Sequence, residues 1–569
     1  MTVGPVVGRR LPAALLFDRT ATFGGPALVG GLVATLGALL WLWHTPAVGD
    51  LAAQTAWAQL ASRAGVVPWF ARWYGGVPVG GYSLVTPGLM ALIGVRAVGA
   101  LATVCTGAAA GALLRVGHAR RPAWGAAAFG VAATADLYAG RITFAVGGAV
   151  ALMALVAVER RAAVLAALLA VVASVTSPVA GLFLLVPAGA LVLTDARRRR
   201  IGLLVIGMVA ATAGVVAVVF PVDGREPFAW FVARPALAIP VVAALLPVGR
   251  RVRAGLLLAA LATFAAFELT SPVGSNVTRL SILVAVPTLV ASARLPLTLL
   301  LPVSVVLALW PWHQLHDDLV VSRLPLAQAN ATTALVGELA DQPGVLDHRV
   351  EVVEPRTHWP MTILVDHDIT VARGWVRQVD EGRNPLLYGR APLTPTTYRD
   401  WLDDNAVAFV ALPRDPAPID FGSASEAALV RSRLPYLTPV WSDPSWTLYA
   451  VRAPAPVSGP GAHVVALTDT GATVENDAPV TVTLALRWSP WLVVNGGDVG
   501  RAGDLVRLTL TTPGTHRVHA VWRWPWPGLA GGLGFPHVRP LRDVGRQRPV
   551  GLIVTGQCSP FEATPPSAG

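Results

Sequence analysis

The first 315 residues are a succession of long apolar runs separated by short polar loops. A helix that crosses a bilayer needs roughly 20 predominantly apolar residues, with about 17 to 25 usual. The runs that approach this length are 24–44, 95–116, 124–138, 142–158, 162–177, 178–194, 201–220, 229–248, 254–269, 279–293 and 295–311. Residues 1–315 are therefore predicted to form a polytopic α-helical membrane domain of about eleven transmembrane helices, with a first outer loop at 45–94.

The distribution of arginine predicts the orientation of these spans. If the N-terminus is cytoplasmic, every Arg pair or cluster of the membrane region falls on the cytoplasmic side, in agreement with the positive-inside rule. The loops on the opposite side carry the acids Asp50, Asp136, Asp223, Glu226 and Glu268. An odd number of spans then places residues 316–569 outside the cytoplasm, with the protein in the cell membrane.

From residue 316 the pattern is that of a soluble domain. Helices are predicted at 326–342, 395–405 and 424–433, the last with Ser423 or Ser425 as a cap. Short apolar runs predict strands at 361–365, 407–412 and 446–451. This alternation indicates an α/β domain over 316–455.

The rest of the chain changes pattern again after a linker rich in Pro, Gly and Ser at 453–461. Apolar and polar residues alternate with period two at 479–487, 491–495, 505–511 and 516–522. Such alternation is typical of half-buried strands and predicts a small antiparallel, β-sandwich-like module at 456–530. Residues 531–569 are a tail rich in Pro and Gly.

Composition and charge agree with this division. The 569 residues are 54% hydrophobic and 14% charged, against about 25% charged in ordinary soluble domains. Residues 1–315 hold 23 Arg and 8 Asp or Glu, a formal charge of +15, whereas residues 316–569 carry −4. Because the positive charge belongs to the apolar part, it argues against a nucleic-acid partner, and none is expected.

Asp50 is the most informative single residue, since no other acid occurs between Arg19 and Ala135. It follows the first predicted span and begins an amphipathic stretch. One interpretation is an N-cap, because Asp accepts hydrogen bonds from the free N–H groups of a first helical turn. The other is a catalytic or binding role.

Two arginines, Arg141 and Arg279, depart from the positive-inside bias, because they begin predicted spans on the outer side. Arginine at membrane depth is costly and marks a function or an ion pair. A guanidinium can bind phosphate oxygens in a two-pronged manner. The alternative is a structural pair, Arg141 with Asp136 or Arg279 with Glu268.

The first outer loop also has aromatic and polar side chains that suit sugar binding: Arg72, Trp73, Tyr74 and Tyr82. The alternative is an interfacial aromatic belt. The chain has no phosphate-binding loop with Lys and no HExxH or GxSxG motif. Asp366, His367 and Asp368 are adjacent, so on a strand they cannot all face one metal ion.

Several segments resemble a known family. Gly49-Asp50-Leu-Ala-Ala-Gln54, Trp73-Tyr74-Gly-Gly and Tyr82-Ser-Leu-Val-Thr-Pro87 are similar to the first outer loop of bacterial YfhO-like membrane proteins and of actinobacterial proteins labelled 6-pyruvoyl-tetrahydropterin synthase-related. Further similarity lies in 140–144, 274–280, 372–378, 398–412 and 488–496. These proteins resemble the GT-C superfamily, polytopic glycosyltransferases that use polyprenyl-phosphate sugars.

The resemblance implies that an acid in the first outer loop acts as a base or as a ligand of a divalent cation, and only Asp50 matches. Many members have a second acid there, which this chain lacks. The implied partners are a polyprenyl-phosphate-linked sugar, an envelope glycan or lipid acceptor, and membrane lipid. The alternatives are a lipid or glycan transporter, disfavoured because the acids lie at loop edges, and a non-catalytic envelope-assembly protein.

Overall fold

Every apolar run that was predicted as a span forms helix in the computed structural model, which describes residues 24–222, 224–414 and 417–523. The α-helices of this region are α1 (Gly25–His44), α2 (Gly49–Ala64), α3 (Thr86–Ile93), α4 (Val95–Val116), α5 (Pro122–Tyr138), α6 (Ile142–Glu159), α7 (Ala163–Thr176), α8 (Pro178–Phe183), α9 (Leu185–Thr194), α10 (Arg199–Val219), α11 (Trp230–Leu245), α12 (Arg250–Glu268), α13 (Val286–Ser292) and α14 (Leu297–Val321). Asp223 and the tail 531–569 lie outside the described residues.

Six helical segments of the described chain are long and apolar enough to cross a membrane. They are Gly25–His44, Val95–Val116, Ile142–Glu159, Arg199–Val219, Gly274–Ser292 and Leu297–Val321. Shorter apolar helices occupy Ala163–Thr176, Pro178–Thr194 and Trp230–Leu245. The chain is thus mostly helical with six membrane-length helices and a β-rich C-terminal region, while the count of eleven spans stays a prediction.

Glycine allows the first helices to pack closely. A Cβ on Gly30 would lie 2.2 Å from the carbonyl oxygen of Gly107, so α1 and α4 touch through their backbones. The other side of α1 exposes Leu28, Leu32 and Leu36, each more than 60% accessible. An exposed leucine face of this kind suits contact with lipid.

One membrane-length segment is irregular. Gly274–Thr278 is a 3-10 helix, Leu280–Ala285 is a π-helix, and α13 follows from Val286. Pro287 has no N–H group to continue the regular hydrogen-bond ladder. π-Helical turns are rare and frequently occur at functional sites. Arg279 lies at the junction of the 3-10 and π segments.

The predicted α/β domain contains one mixed sheet. Its strands β3 (Arg349–Val352), β4 (Val407–Pro413), β5 (Leu437–Ser442) and β6 (Trp446–Val451) have the order β3-β4-β6-β5, with β3 parallel to β4 and the other pairs antiparallel. Its helices are α15 (Asn330–Asp341), α16 (Trp359–Asp366), α17 (Arg377–Arg383), α18 (Pro395–Asp404) and α19 (Ala424–Arg431).

Two local predictions for this domain were wrong. The run 361–365 is part of helix α16, and its residues Met361, Leu364 and Val365 are fully buried at helical spacing. A short apolar run does not distinguish a buried helix from a strand. Ser423 precedes α19 but does not cap it, because its hydroxyl contacts Arg373 and Glu426 instead.

The C-terminal module is a sandwich of two antiparallel sheets. Its strands are β7 (His463–Thr468), β8 (Gly471–Asn476), β9 (Val480–Arg487), β10 (Leu492–Val494), β11 (Gly497–Ala502), β12 (Leu505–Leu510) and β13 (Gly514–Ala520). The orders are β10-β13-β8-β7 and β11-β12-β9. All four predicted strands are confirmed, and β7, β8 and β11 were missed.

Loop 45–94 lies between the helix bundle and these C-terminal domains. It contains α2, α3 and a two-stranded ribbon of β1 (Trp69–Phe70) and β2 (Val77–Pro78). Trp359 Nε1 donates to the Ala47 carbonyl at 2.9 Å, and Thr362 Oγ1 to that of Ala52 at 3.0 Å. We call the end of the bundle that carries this loop the domain-facing end.

Candidate functional site

Asp50 lies in the first turn of α2 at the domain-facing end, but it is not the N-cap. The cap position is Val48, and no side chain caps this helix. The N-cap interpretation of Asp50 was therefore wrong. Its Oδ2 instead accepts a hydrogen bond from Arg141 Nε at 3.2 Å, and about a third of the Asp50 side chain is exposed.

Arg141 is brought to Asp50 by the turn between α5 and α6. Gly140 has φ +77°, and a Cβ there would lie 2.7 Å from the backbone nitrogen of Leu51, so the turn requires glycine. Arg141 Nη1 lies 3.9 Å from Oδ1 of buried Asp136. The predicted pair with Asp136 is thus present as the looser of two contacts.

Arg279 makes no such pair. The structure gives it no hydrogen bond or salt bridge to any residue in the described part of the chain, and Glu268 is exposed at the end of α12. The predicted Arg279–Glu268 pair does not form. Its guanidinium carbon lies 4.9 Å from the centre of the Phe144 ring, and its charge interacts with those of Arg141, Asp136 and Asp50.

A polar chain holds the start of α2 against α6. Gln54 Nε2 donates to the Tyr82 hydroxyl. Gln54 Oε1 accepts from the Thr143 hydroxyl at 2.7 Å and from its N–H at 3.3 Å. Tyr82 also stacks on Trp57, and burial raises the pKa of Tyr82. Tyr82 is the one predicted sugar-binding residue that interacts electrostatically with Asp50 and Arg279 in the described chain.

The other three predicted sugar-binding residues form the core of the contact between loop 45–94 and the C-terminal domains. Trp73 is 0% exposed. The Tyr74 hydroxyl donates to the Gly374 carbonyl and accepts from the Val376 N–H. Buried Arg72 forms salt bridges with Asp368 at 2.7 Å and Asp469 at 2.6 Å. In this structure they present no exposed face to a sugar ring.

Sequence reasoning missed the residues that the α/β domain contributes next to Asp50. A Cβ on Gly49 would lie 2.7 Å from His358 Cδ2, so the domain contacts the start of α2 there. His358 has the left-handed φ of +58° and stacks on Trp375 with ring centres 3.5 Å apart. The one available signal was the resemblance at 372–378, which assigned no role to these side chains.

Arg377 packs against Trp375, the ring on which His358 stacks. Its guanidinium lies 4.6 Å from the Trp375 ring and 4.5 Å from that of Phe421. It binds both oxygens of Asp420, at 2.7 and 2.8 Å. Burial alone would raise the pKa of Asp420, but Arg377 and His358 lower it to about 2.

Arg373 anchors a buried cluster of acids in the same domain. Its nitrogens lie 2.6 Å from Asp380, 3.1 Å from Glu426, 3.3 Å from Glu354 and 3.4 Å from Glu351. Glu354 in turn contacts His358 Nδ1 at 2.6 Å. Burial raises the pKa of Glu351 far above its usual range. Through Glu354 the cluster holds His358, which packs against the start of α2 next to Asp50.

The described residues do not suit a divalent cation at Asp50. No group of three or more His, Cys, Asp or Glu with metal-binding geometry occurs in 24–222, 224–414 or 417–523. The Oδ2 atom of Asp50 is already bound by a guanidinium. These residues therefore do not fit the divalent cation that the resemblance allows at this position.

Comparison with known proteins adds no family assignment: no protein-family model matches the chain, and no curated protein matches it in sequence.

Proposed function

We propose that this protein is an integral membrane glycosyltransferase of the GT-C type, related to the YfhO-like proteins. It transfers a sugar from a polyprenyl-phosphate donor to a cell-envelope glycan or lipid on the extracytoplasmic face. The observation that carries the proposal is that Asp50, paired with Arg141, shares one end of the bundle with Arg279, which has no acidic partner at salt-bridge distance in the described chain.

Arg279 and Arg141 have the donors that a phosphate requires. Every N–H of Arg279 and the Nη2 group of Arg141 lack a hydrogen-bond partner among the residues described here. A guanidinium offers planar, paired donors that match two phosphate oxygens. Partly buried arginine is costly near a membrane without an anion. A lipid-linked phosphate would supply that anion, with its tail among the apolar helices.

The Asp50–Arg141 pair then gives the order of events. The donor phosphate competes with Asp50 for Arg141, and the freed Asp50 carboxylate accepts the proton of an acceptor hydroxyl. The acceptor oxygen forms a bond to the anomeric carbon as the bond from that carbon to the phosphate oxygen breaks. The electron pair leaves with the polyprenyl phosphate, whose charge Arg141 and Arg279 stabilise.

The proposed function requires more membrane-spanning helices than the six that have membrane length. We propose that the three shorter apolar helices, together with α5 (Pro122–Tyr138) and α12 (Arg250–Glu268), also cross the bilayer, giving about eleven spans. The domain-facing end and residues 316–569 then lie outside the cytoplasm. Irregular or short helices are tolerated in a membrane where they pack against protein. In Gly274–Ser292, 61% of the apolar stretch is buried in this way.

The test is sugar transfer in lipid nanodiscs, with labelled polyprenyl-phosphate pentoses and hexoses as donors. Asp50→Asn keeps the size of the side chain but cannot accept the proton, so turnover should fall about 10²- to 10⁴-fold at an unchanged melting temperature. Glu268→Gln, an exposed acid of the same end, is the matched control and should retain activity. Wild-type turnover in Asp50→Asn would leave Asp50 as a structural partner of Arg141.

The same ion pair favours a second candidate, a non-catalytic envelope-assembly protein. A carboxylate that is permanently bound by Arg141 would be a poor base. In that case neither wild type nor variant would transfer sugar, and Asp50→Asn would lower the melting temperature instead.

A further inference from the structure

Gly224 and Arg225, in the loop between α10 and α11, contact the α/β domain. Gly224 has φ +84°, and a Cβ there would lie 1.8 Å from the Gln378 carbonyl oxygen. Arg225 forms a salt bridge of 2.8 Å with Glu381. Both contacts are made to helix α17. They fix the backbone immediately before the next residue, Glu226.

Glu226 also contacts the 3-10 helix Gly274–Thr278, which immediately precedes Arg279, and the residues just before that helix. Its N–H donates to the Ser271 carbonyl at 3.1 Å. A Cβ on Gly274 would lie 2.0 Å from the Glu226 carbonyl oxygen, so the two backbones are in contact. The Ser275 hydroxyl donates to Glu226 Oε1 at 2.9 Å. The position of this carboxylate is therefore coupled to the segment that carries Arg279.

The carboxylate of Glu226 shares the electrostatic surroundings of Asp50. Its charge interacts with those of Arg377, Asp50 and Arg279. Burial raises the pKa of Glu226 to about 7, although Arg377 and Ser275 lower it. In the described chain it has no salt bridge, and its Oε2 has no hydrogen-bond partner. Glu226 therefore keeps a free acceptor atom, and within the described residues its carboxylate is bound by no arginine, whereas that of Asp50 is bound by Arg141.

A free carboxylate oxygen at this place selects the kind of ligand. It repels the phosphate of the donor but accepts a hydrogen bond from a hydroxyl. The arginines and the acids thus divide the site into a part for an anion and a part for a neutral, hydroxyl-rich molecule. Sugar acceptors have the required chemistry.

We propose that Glu226 binds a hydroxyl group of the acceptor glycan and holds that acceptor beside Asp50. This inference rests on the proposed transferase function and adds a second carboxylate, from outside loop 45–94. Ser275 positions Glu226, and Asp50 remains the base.

The test separates acceptor binding from chemistry. In nanodiscs, Glu226→Gln should raise the KM for the acceptor about tenfold, because a charge-assisted hydrogen bond becomes a neutral one. The donor KM and the kcat at saturating acceptor should not change, and Glu268→Gln should alter none of these values. A collapse of kcat at an unchanged acceptor KM would assign the proton transfer to Glu226 and overturn the proposal. Unchanged constants would leave Glu226 as a structural partner of Ser275.

A binding measurement distinguishes failure of this inference from failure of the transferase proposal. Glu226 is amidated with a carbodiimide and a small amine, and the label is mapped by mass spectrometry with and without short pentose or hexose oligosaccharides. An oligosaccharide that accepts sugar should protect Glu226 in both wild type and Asp50→Asn. Lack of protection by such an acceptor would refute the role of Glu226 alone. Absence of transfer to every oligosaccharide would refute the transferase and the acceptor role together.

Discussion

Arg373 in the α/β domain and Arg279 at the domain-facing end of the bundle show opposite ways of placing arginine away from water. All three guanidinium nitrogens of Arg373 bind protein oxygens, with Asp380 held in a two-pronged manner. Arg279 binds none within the described ranges and rests against Phe144. The same chemical group is thus fully hydrogen-bonded in Arg373, whereas in Arg279 it has no hydrogen-bond partner among the described residues.

This contrast distinguishes charges that belong to the fold from charges that are open to a ligand. Arg373 is 1% exposed and its donors are used, so no ligand can gain from it without breaking native contacts. Arg141 is intermediate, since Asp50 and Asp136 engage only two of its nitrogens. Unused donors that remain accessible, rather than the number of arginines, mark the site.

The first prediction is all-or-none and concerns the side of the membrane that both regions occupy. Arg373 and Arg279 belong to one compact unit, so both must lie outside the cytoplasm if the site uses lipid-linked sugars there. A reporter that fluoresces only in the cytoplasm, fused after residue 569, should stay dark. Bright cells would contradict the eleven-span topology and reverse the side of the proposed site.

The next largest effect is expected for the paired arginine. Arg373→Met removes the partner of four buried acids, and loss of one member of a buried ion pair costs about 3 to 5 kcal/mol of unfolding free energy. Arg279→Met has no comparable partner and should cost less than about 1 kcal/mol. Equilibrium unfolding of both variants in the same detergent measures the contrast. Equal losses would mean that Arg279 has a structural partner after all.

The smallest effect is a pH dependence that distinguishes Glu226 from the paired acids. Because the folded pKa of Glu226 is raised from its ordinary value to about 7, its contribution to stability is present below about pH 4.5 and is lost as the pH rises through about 7. Asp420, with its lowered pKa, loses stabilisation only as the pH falls towards about 2. The melting temperature of wild type, relative to Glu226→Gln, should therefore decrease between about pH 4.5 and 7. A difference in melting temperature that does not change with pH would show that the pKa of Glu226 is not raised.

Much of the fold could be predicted because it depends on local pattern. Runs of 15 or more apolar residues can satisfy their backbone only as helix in an apolar environment, and each forms one. Strand β11, Gly497–Ala502, has no such signal, because Gly500 and charged Asp498 and Arg501 interrupt its alternation. It forms through pairing with β12.

The site was less predictable because its contacts join distant parts of the chain. Arg141 is nearest in sequence to Asp136, yet its shorter contact is to Asp50, 91 residues away. Trp73 and Tyr74 have the composition of a sugar platform, but residues some 300 positions later cover them. Aromatic residues in a glycine-rich loop have the same local pattern whether a ligand or another domain packs on them.

Glu226 illustrates the same limit. It was visible as one of five acids in outer loops, but only the approach of Gly274 and the hydrogen bond from Ser275 connect it with Arg279. Nothing in the spacing of these residues indicates that contact, since 48 residues of two helices and their connections separate them.

The most direct test of the central claim, that Arg279 is kept unpaired for a phosphate, is donor binding by Arg279→Lys together with its melting temperature. Lysine keeps the charge but loses the two-pronged geometry, so affinity for the polyprenyl-phosphate sugar should fall about tenfold, equivalent to about 1.4 kcal/mol. The melting temperature should stay that of wild type, and Arg225→Lys, which alters an arginine paired with Glu381, should bind donor normally. Unchanged donor affinity with a lowered melting temperature in Arg279→Lys would contradict the account.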